Sequence, residues 1–142
     1  MESSLLGLIL DTSVLVAGER RGLTVDQLLE EVEGAAGKVE IAVSVITIAE
    51  LVHGYYRAQT PETRQRRREF IDELKRSVPV HPITERTSEI IGRLGAEQAA
   101  RGIALPFDDL LIGASALEQG YAVGTGNLRH FEKIPGLVVK RL

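Results

Sequence analysis

Cysteine is absent from this chain, so it can build neither a disulfide nor a zinc–thiolate site, and a reducing compartment suits it. Tryptophan is absent too, and three Phe and three Tyr are all the Phe, Tyr and Trp it has, which argues against base stacking as a main binding mode. No apolar run approaches the roughly 20 residues of a membrane helix. The uncharged run Leu5 to Leu10 is also too short for a secretion signal, and no basic segment precedes it. The expectation is a cytoplasmic protein with no membrane partner. A large charge of one sign is likewise missing: 17 Lys and Arg against 20 Asp and Glu leave a net −3. Any polyanion must therefore be held by a local patch. What remains is an ordinary globular composition, 44% hydrophobic over 142 residues, enough for one domain with a proper core.

The chain is organised around LLGLILDTS, Leu5 to Ser13. Its apolar run reads as a buried strand that stops at Asp11. Thr12 and Ser13 favour a helix N-terminus, because their hydroxyls accept free backbone N–H groups. Asp11 thus falls at the C-terminal tip of a central strand, the edge where open parallel sheets bind ligands, and its carboxylate needs a counter-charge.

Downstream, the spacing predicts helices over 13–20, from Thr24 to the Gly34–Gly37 region, from Ser44 or Thr47 through Arg57, over 61–76, from Thr84 to Arg101, and from Pro106 or Asp108 to Gly120. Val39–Val43, Tyr121–Gly124 and Leu137–Arg141 read as strands, and Val78–Pro82 as an extended piece whose prolines place it at an edge. Leu128–Phe131 reads as a helical turn. Val45, Ile48, Ala49, Val52, Tyr55 and Tyr56 are expected to form the buried face of the third helix, Phe70, Ile71 and Leu74 that of the fourth, and Ile90, Ile91, Leu94 and Ala99 that of the fifth. Strands alternating with helices give an α/β fold: a central parallel sheet of four to five strands with helices on both faces.

Four places put an acid or amide at a helix or strand boundary: Asp11; Glu50, beside Thr47, His53, Gly54 and Arg57 on a polar stripe; the pair Asp108–Asp109 in a first helical turn; and Asn127 in Thr125-Gly126-Asn127, directly after a strand. Singly, each has an ordinary structural role, such as an acid at the positive end of a helix or an Asn in a turn. Together they are more specific. LILDTSVLVA, TIAELVHG, GIALPFDDLLIGASAL and VGTGNLRHFEKIPGLVV resemble the PIN domain over essentially the whole chain, and within it the VapC toxin ribonucleases of VapBC toxin–antitoxin systems.

The resemblance implies that Asp11, Glu50 and Asp109 are the three metal-site acids, that Asn127 takes a fourth position often held by Asp, and that Thr12 and Thr125 are the hydroxyl-bearing positions beside them. Asp109 is preferred to Asp108 because it directly precedes LLIGA; Asp108 is then an outer carboxylate. Two departures stand out. Asn127 offers an oxygen without a charge, and Gly126 falls where many relatives carry a basic residue. Oxygen ligands without His or Cys suit Mg²⁺ or Mn²⁺ rather than zinc. The resemblance further implies RNA cleavage leaving a 5′-phosphate and a 3′-hydroxyl, a homodimer, and an antitoxin partner whose C-terminal segment packs on the protein and pushes an Arg into the acids. Tyr55, Tyr56, Phe70 and Leu74 are candidates for the groove that receives it.

The expected phosphate contacts are Arg20, Arg21, Arg129 and Lys133, which lie near the acids in sequence; residues 57–76 carry a further excess of three positive charges. Of the histidines, His53 reads as a surface residue and His130 as structural. A haloacid-dehalogenase-like phosphatase would need a second Asp where Ser13 stands. A receiver-like phosphoacceptor would need an acidic pair near the first strand, and Glu2 is badly placed for it. The remaining alternatives are an RNA-processing PIN nuclease with no antitoxin and a PIN-fold binding module with little activity.

Overall fold

The computed structural model describes residues 5–142; Glu2 lies outside them. In chain order the elements are β1 (Gly7–Leu10), α1 (Thr12–Arg20), α2 (Val25–Ala36), β2 (Glu40–Ser44), α3 (Val45–Tyr56), α4 (Pro61–Ser77), β3 (Val80–His81), α5 (Glu85–Ala100), α6 (Phe107–Gln119), β4 (Ala122–Thr125), a 3₁₀ turn (Leu128–His130) and β5 (Val139–Arg141). The five strands form one sheet in the order β3-β2-β1-β4-β5, with every pairing parallel. The proline-flanked β3 is an edge strand, as its missing N–H donors require.

Strand alternation sets the layers. Leu8 and Leu10 of β1 point into one apolar cluster with Leu15, Leu28, Val43, Phe70, Ile71 and Leu74. Ile9 points into the other with Leu94, Leu110, Ile112, Val123 and Phe131. So α1 to α4 cover one face, and α5 and α6 the other. From β1 the chain steps outward through β2 to β3, then returns to β1's other side for β4 and β5. The winding direction therefore switches between β1 and β4, and the crevice at their C-terminal ends is where such sheets bind ligands.

β1 is shorter than the apolar run predicted. It begins at Gly7, the first residue paired with β2, and Leu6 before it is exposed. Gly7 is required there: a Cβ would sit 2.7 Å from the Tyr121 ring and 2.9 Å from the Glu40 carbonyl. α6 ends on Gly120, whose φ of 71° is left-handed and free for glycine.

Two helix faces depart from expectation. On α3 the buried residues are Thr47 and Leu51, while Val45 and Tyr56 are 42% and 70% exposed and Ala49 is also outside. Of the polar stripe, Thr47 alone is buried, where it meets Thr12 of α1, while His53 and Arg57 stay exposed and Ile48, Val52 and Tyr55 pack on the core at half-buried positions. On α5 the buried line is Thr87, Leu94 and Gln98, and Ala99 faces out. Gln98 is held inside by donating Nε2–H to the Lys133 carbonyl at 2.8 Å. The α4 face, Phe70, Ile71 and Leu74, is buried as the spacing predicts.

Candidate active site

The crevice between β1 and β4 is built from strand ends. Asp11 occupies the N-cap position of α1 in extended conformation, but its side chain caps nothing. Its backbone N–H continues the sheet, donating to the Gly124 carbonyl at 2.8 Å. Its Oδ2 instead accepts from Ser13 Oγ at 2.7 Å and from Thr125 Oγ1 at 2.9 Å. Thr125 Oγ1 in turn accepts the Asn127 N–H at 2.9 Å. The hydroxyls of Thr12 and Ser13, expected to cap α1, thus turn toward carboxylates. A buried carboxylate draws them more strongly than an amide N–H that water can reach.

Glu50 enters from α3, half-buried. Its Oε1 accepts from Thr12 Oγ1 at 2.5 Å, and Thr12 Oγ1 lies 3.0 Å from the buried Thr47 Oγ1. Burial pushes the Glu50 carboxyl above the usual carboxylate range; the Thr12 bond opposes this, while the nearby Asp108 and Asp11 carboxyls add to it. Two carboxyls that meet as Glu50 and Asp108 do can hydrogen-bond only if one keeps its proton.

Asp109, on the first turn of α6, is only 7% exposed. Its Oδ2 is buried and has no hydrogen-bond partner. Burial raises its proton affinity, His130 lowers it, and Asp11 and Asp108 raise it further. His130 Nδ1 stands 3.5 Å from Asp109 Oδ2, too long for a good hydrogen bond. His130 Nε2 lies 2.9 Å from Asn127 Nδ2. Since an amide nitrogen only donates, Nε2 accepts, and the neutral ring then carries its proton on Nδ1, toward Asp109.

Asp11, Glu50, Asp108 and Asp109 therefore share one patch of negative charge, with Thr12, Thr125 and Asn127 among them. Both members of the Asp108–Asp109 pair reach it, Asp108 exposed beside Glu50 and Asp109 buried beside Asp11 and His130. Among the described residues, no three acids stand ready-made around one ion position: Glu50 is drawn back onto Thr12, and Asp11 onto Ser13 and Thr125. The donor set still fits a hard divalent cation. All the donors are oxygens, one buried oxygen is orphaned, and two of the acids hold their protons abnormally tightly.

The cationic candidates divide. Arg20 lines a cavity of about 110 Å³ together with Glu50, Val16, Leu51 and Phe70. Arg129 lines a shallow groove with Gly126, Asn127 and Arg141. Arg21 is engaged by Glu31 through two hydrogen bonds, and Lys133 meets the rest of the fold through its carbonyl. In α4, Arg66 and Arg67 pair with the buried Glu19, and Arg68 pairs with Asp72 and stacks 4.3 Å over the Tyr55 ring. Of the excess charge of residues 57–76, Glu19 therefore offsets one, since Asp72 is already counted in that balance. Phe70 and Leu74 are core residues, so of the proposed groove only Phe70 reaches the cavity beside Glu50.

Sequence reasoning overlooked His130 as a neighbour of the acids and Ser13 as an Asp11 donor. The three-residue step from Asn127 to His130, the span of one tight turn, was the available signal.

Fold and site together define a doubly wound α/β protein with an acid-rich site at its topological switch point. The chain belongs to the PIN domain family, whose model matches residues 8–137. It is 28% identical over 134 residues to "Ribonuclease VapC1" of Rickettsia felis, covering 94% of this chain and 95% of that protein. Its fold matches a VapBC2 structure from Rickettsia felis bound to a promoter DNA fragment, with TM-score 0.82 and 22% identity over 96% of this chain and 98% of that one. It also matches VapBC-5 from Mycobacterium tuberculosis, described as a member of the VapBC family of toxin–antitoxin systems, with TM-score 0.71 and 25% identity over 96% and 98% of the two chains.

Proposed function

We propose that the chain is one nuclease domain, a divalent-metal-dependent endoribonuclease that acts as the cytoplasmic toxin of a toxin–antitoxin pair. The observation that carries the metal site is Asp109: a buried, unbonded carboxylate oxygen beside further acids has no structural use, and a cation satisfies it. Membership of the PIN domain family and the VapC names of its relatives support the ribonuclease reading.

In this reading Asp11, Glu50 and Asp109 hold Mg²⁺ or Mn²⁺, with Asn127 as a neutral oxygen donor at the edge. A divalent cation there neutralises the charge that builds on a phosphodiester as water attacks it. Ser13 and Thr125 orient the Asp11 carboxylate from two sides, and Thr12 orients Glu50. One of these carboxylates orients the attacking water, and the exposed Asp108 carboxyl beside Glu50 is placed to receive its proton. Arg20 and Arg129 are the better-placed phosphate contacts, and Arg21 and Lys133 the weaker ones.

The cavity beside Glu50 joins an apolar wall of Val16, Leu51, Phe70 and Ile71 to acids at its edge. That pairing suits an antitoxin segment that buries apolar side chains and delivers a cation to the acids. The homodimer is carried over from the resemblance alone.

The test is incubation of the purified protein with total RNA in Mg²⁺, Mn²⁺ or EDTA, followed by end mapping. Metal-dependent cuts leaving 5′-phosphate and 3′-hydroxyl ends are expected. Cleavage unaffected by EDTA, or none with either metal, overturns the assignment.

A further inference from the structure

Phe107 is 64% exposed, the first residue of α6, directly before the acid pair. All six Phe and Tyr residues lie within the described chain, and the other five are accounted for. Phe70 and Phe131 are core residues. Tyr55 and Tyr56 pack edge to face, with Arg68 over Tyr55. Tyr121 donates its hydroxyl proton to Glu40 and meets His81. Among the described residues Phe107 alone is an exposed ring with no aromatic or cationic neighbour, and it joins neither apolar cluster. It does not fix the entry of α6 either. Leu105 and Leu110 pack into the same cluster on either side of the helix start and perform that task.

Resting on the nuclease reading, we propose that Phe107 is the stacking platform for a nucleobase next to the scissile phosphate, so that the substrate is single-stranded RNA with an unstacked base at that position. Three observations favour a base over other occupants. The ring precedes Asp108, which meets Glu50, and stands two residues before Asp109. A strand whose phosphate reaches the acids passes the start of α6, where the Phe107 ring is exposed to a neighbouring base. The rim is rich in carboxylates, which repel a phosphate backbone, so a contact indifferent to charge adds affinity there that the cation and the arginines do not supply, and a ring on a base is one. Duplex RNA hides its bases, while loops and single strands splay them onto aromatic side chains. One platform with no second ring beside it selects one unstacked nucleotide rather than a long tract.

The chain has no tryptophan, so F107W introduces a single indole reporter on the proposed platform. In EDTA, where cleavage is off, the F107W protein is titrated with a single-stranded RNA oligonucleotide, while anisotropy of labelled RNA reports binding independently. Quenching that tracks binding, lost when one nucleotide in the oligonucleotide is abasic, is the expected result. With Mg²⁺ or Mn²⁺ restored, F107A raises KM about tenfold, within what one base–aromatic stack contributes, leaves kcat within about twofold, and cleaves the abasic substrate as wild type does. Binding by anisotropy with F107W emission unchanged overturns the platform and leaves the nuclease reading standing. An emission shift with protein concentration in the absence of RNA assigns the ring to contact with a second copy and also overturns it. Absence of RNA binding by anisotropy, together with no cleavage once Mg²⁺ or Mn²⁺ is restored, removes the nuclease reading, and the platform with it.

Discussion

Asp109→Asn separates a binding role for the acids from a structural one. In the ion-free protein the Asp109 carboxylate is buried, one oxygen bonds to nothing, and Asp11 and Asp108 repel it. Leaving a buried polar group unsatisfied costs about 1–3 kcal/mol. Removing the charge while keeping the shape should recover about 1–2 kcal/mol of that, a rise in melting temperature of about 3–8 °C for a chain of this length. The sign with pH follows from the direction of the shift. A carboxyl whose folded pKa is raised binds its proton more tightly folded than unfolded, so its penalty is complete above the folded pKa. The penalty fades as pH falls from there toward the ordinary value, 3.8 for Asp109 and 4.5 for Glu50. Melting curves in EDTA should therefore show the largest advantage for the variant at neutral pH, and a shrinking one in acid. Manganese at 100 times its Kd should stabilise wild type by about 2.7 kcal/mol and the variant far less, while cleavage by the variant is lost. If the ion-free variant melts below wild type at pH 7, Asp109 is structural and the metal argument fails.

Three further substitutions probe the frame. Thr125→Val removes the donor to Asp11 and the acceptor of the Asn127 N–H; urea unfolding should register a loss of about 1.5–3 kcal/mol, as for a hydrogen bond to a charged group, and cleavage should fall as well. Glu19→Gln takes the charge from a buried carboxylate held by Arg66 at 2.7 Å and Arg67 at 3.5 Å. Because Arg66 is more than half exposed, the expected cost is about 1 kcal/mol; it should shrink in high salt, and salt-independence would place the loss in packing. Gly7→Ala drives a methyl into the Tyr121 ring and the Glu40 carbonyl; calorimetry should show about 1–3 kcal/mol of overpacking cost, and a neutral result would mean that β1 starts later than Gly7.

By itself the sequence determined the element types and the positions of the acids along them. The run ending at Asp11, the helix starts at Thr24, Pro61 and Thr84, the stop at Gly120 and the proline-bounded edge piece are local signals, and each element lies where they place it within a few residues. Local signals carry the fold this far because strand and helix formation depend on neighbours within a turn or two. What faces what was decided by tertiary structure. Thr47 and Gln98 turned inward against the apolar periodicity of α3 and α5, since each found a buried partner on another element. Asp11 meets Thr125 across 114 residues, and Glu50 meets Thr12 across 38. Such pairings follow from the strand order β3-β2-β1-β4-β5, which brings the ends of β1 and β4 side by side. Strand order is a property of how whole layers pack, and no window of sequence contains it.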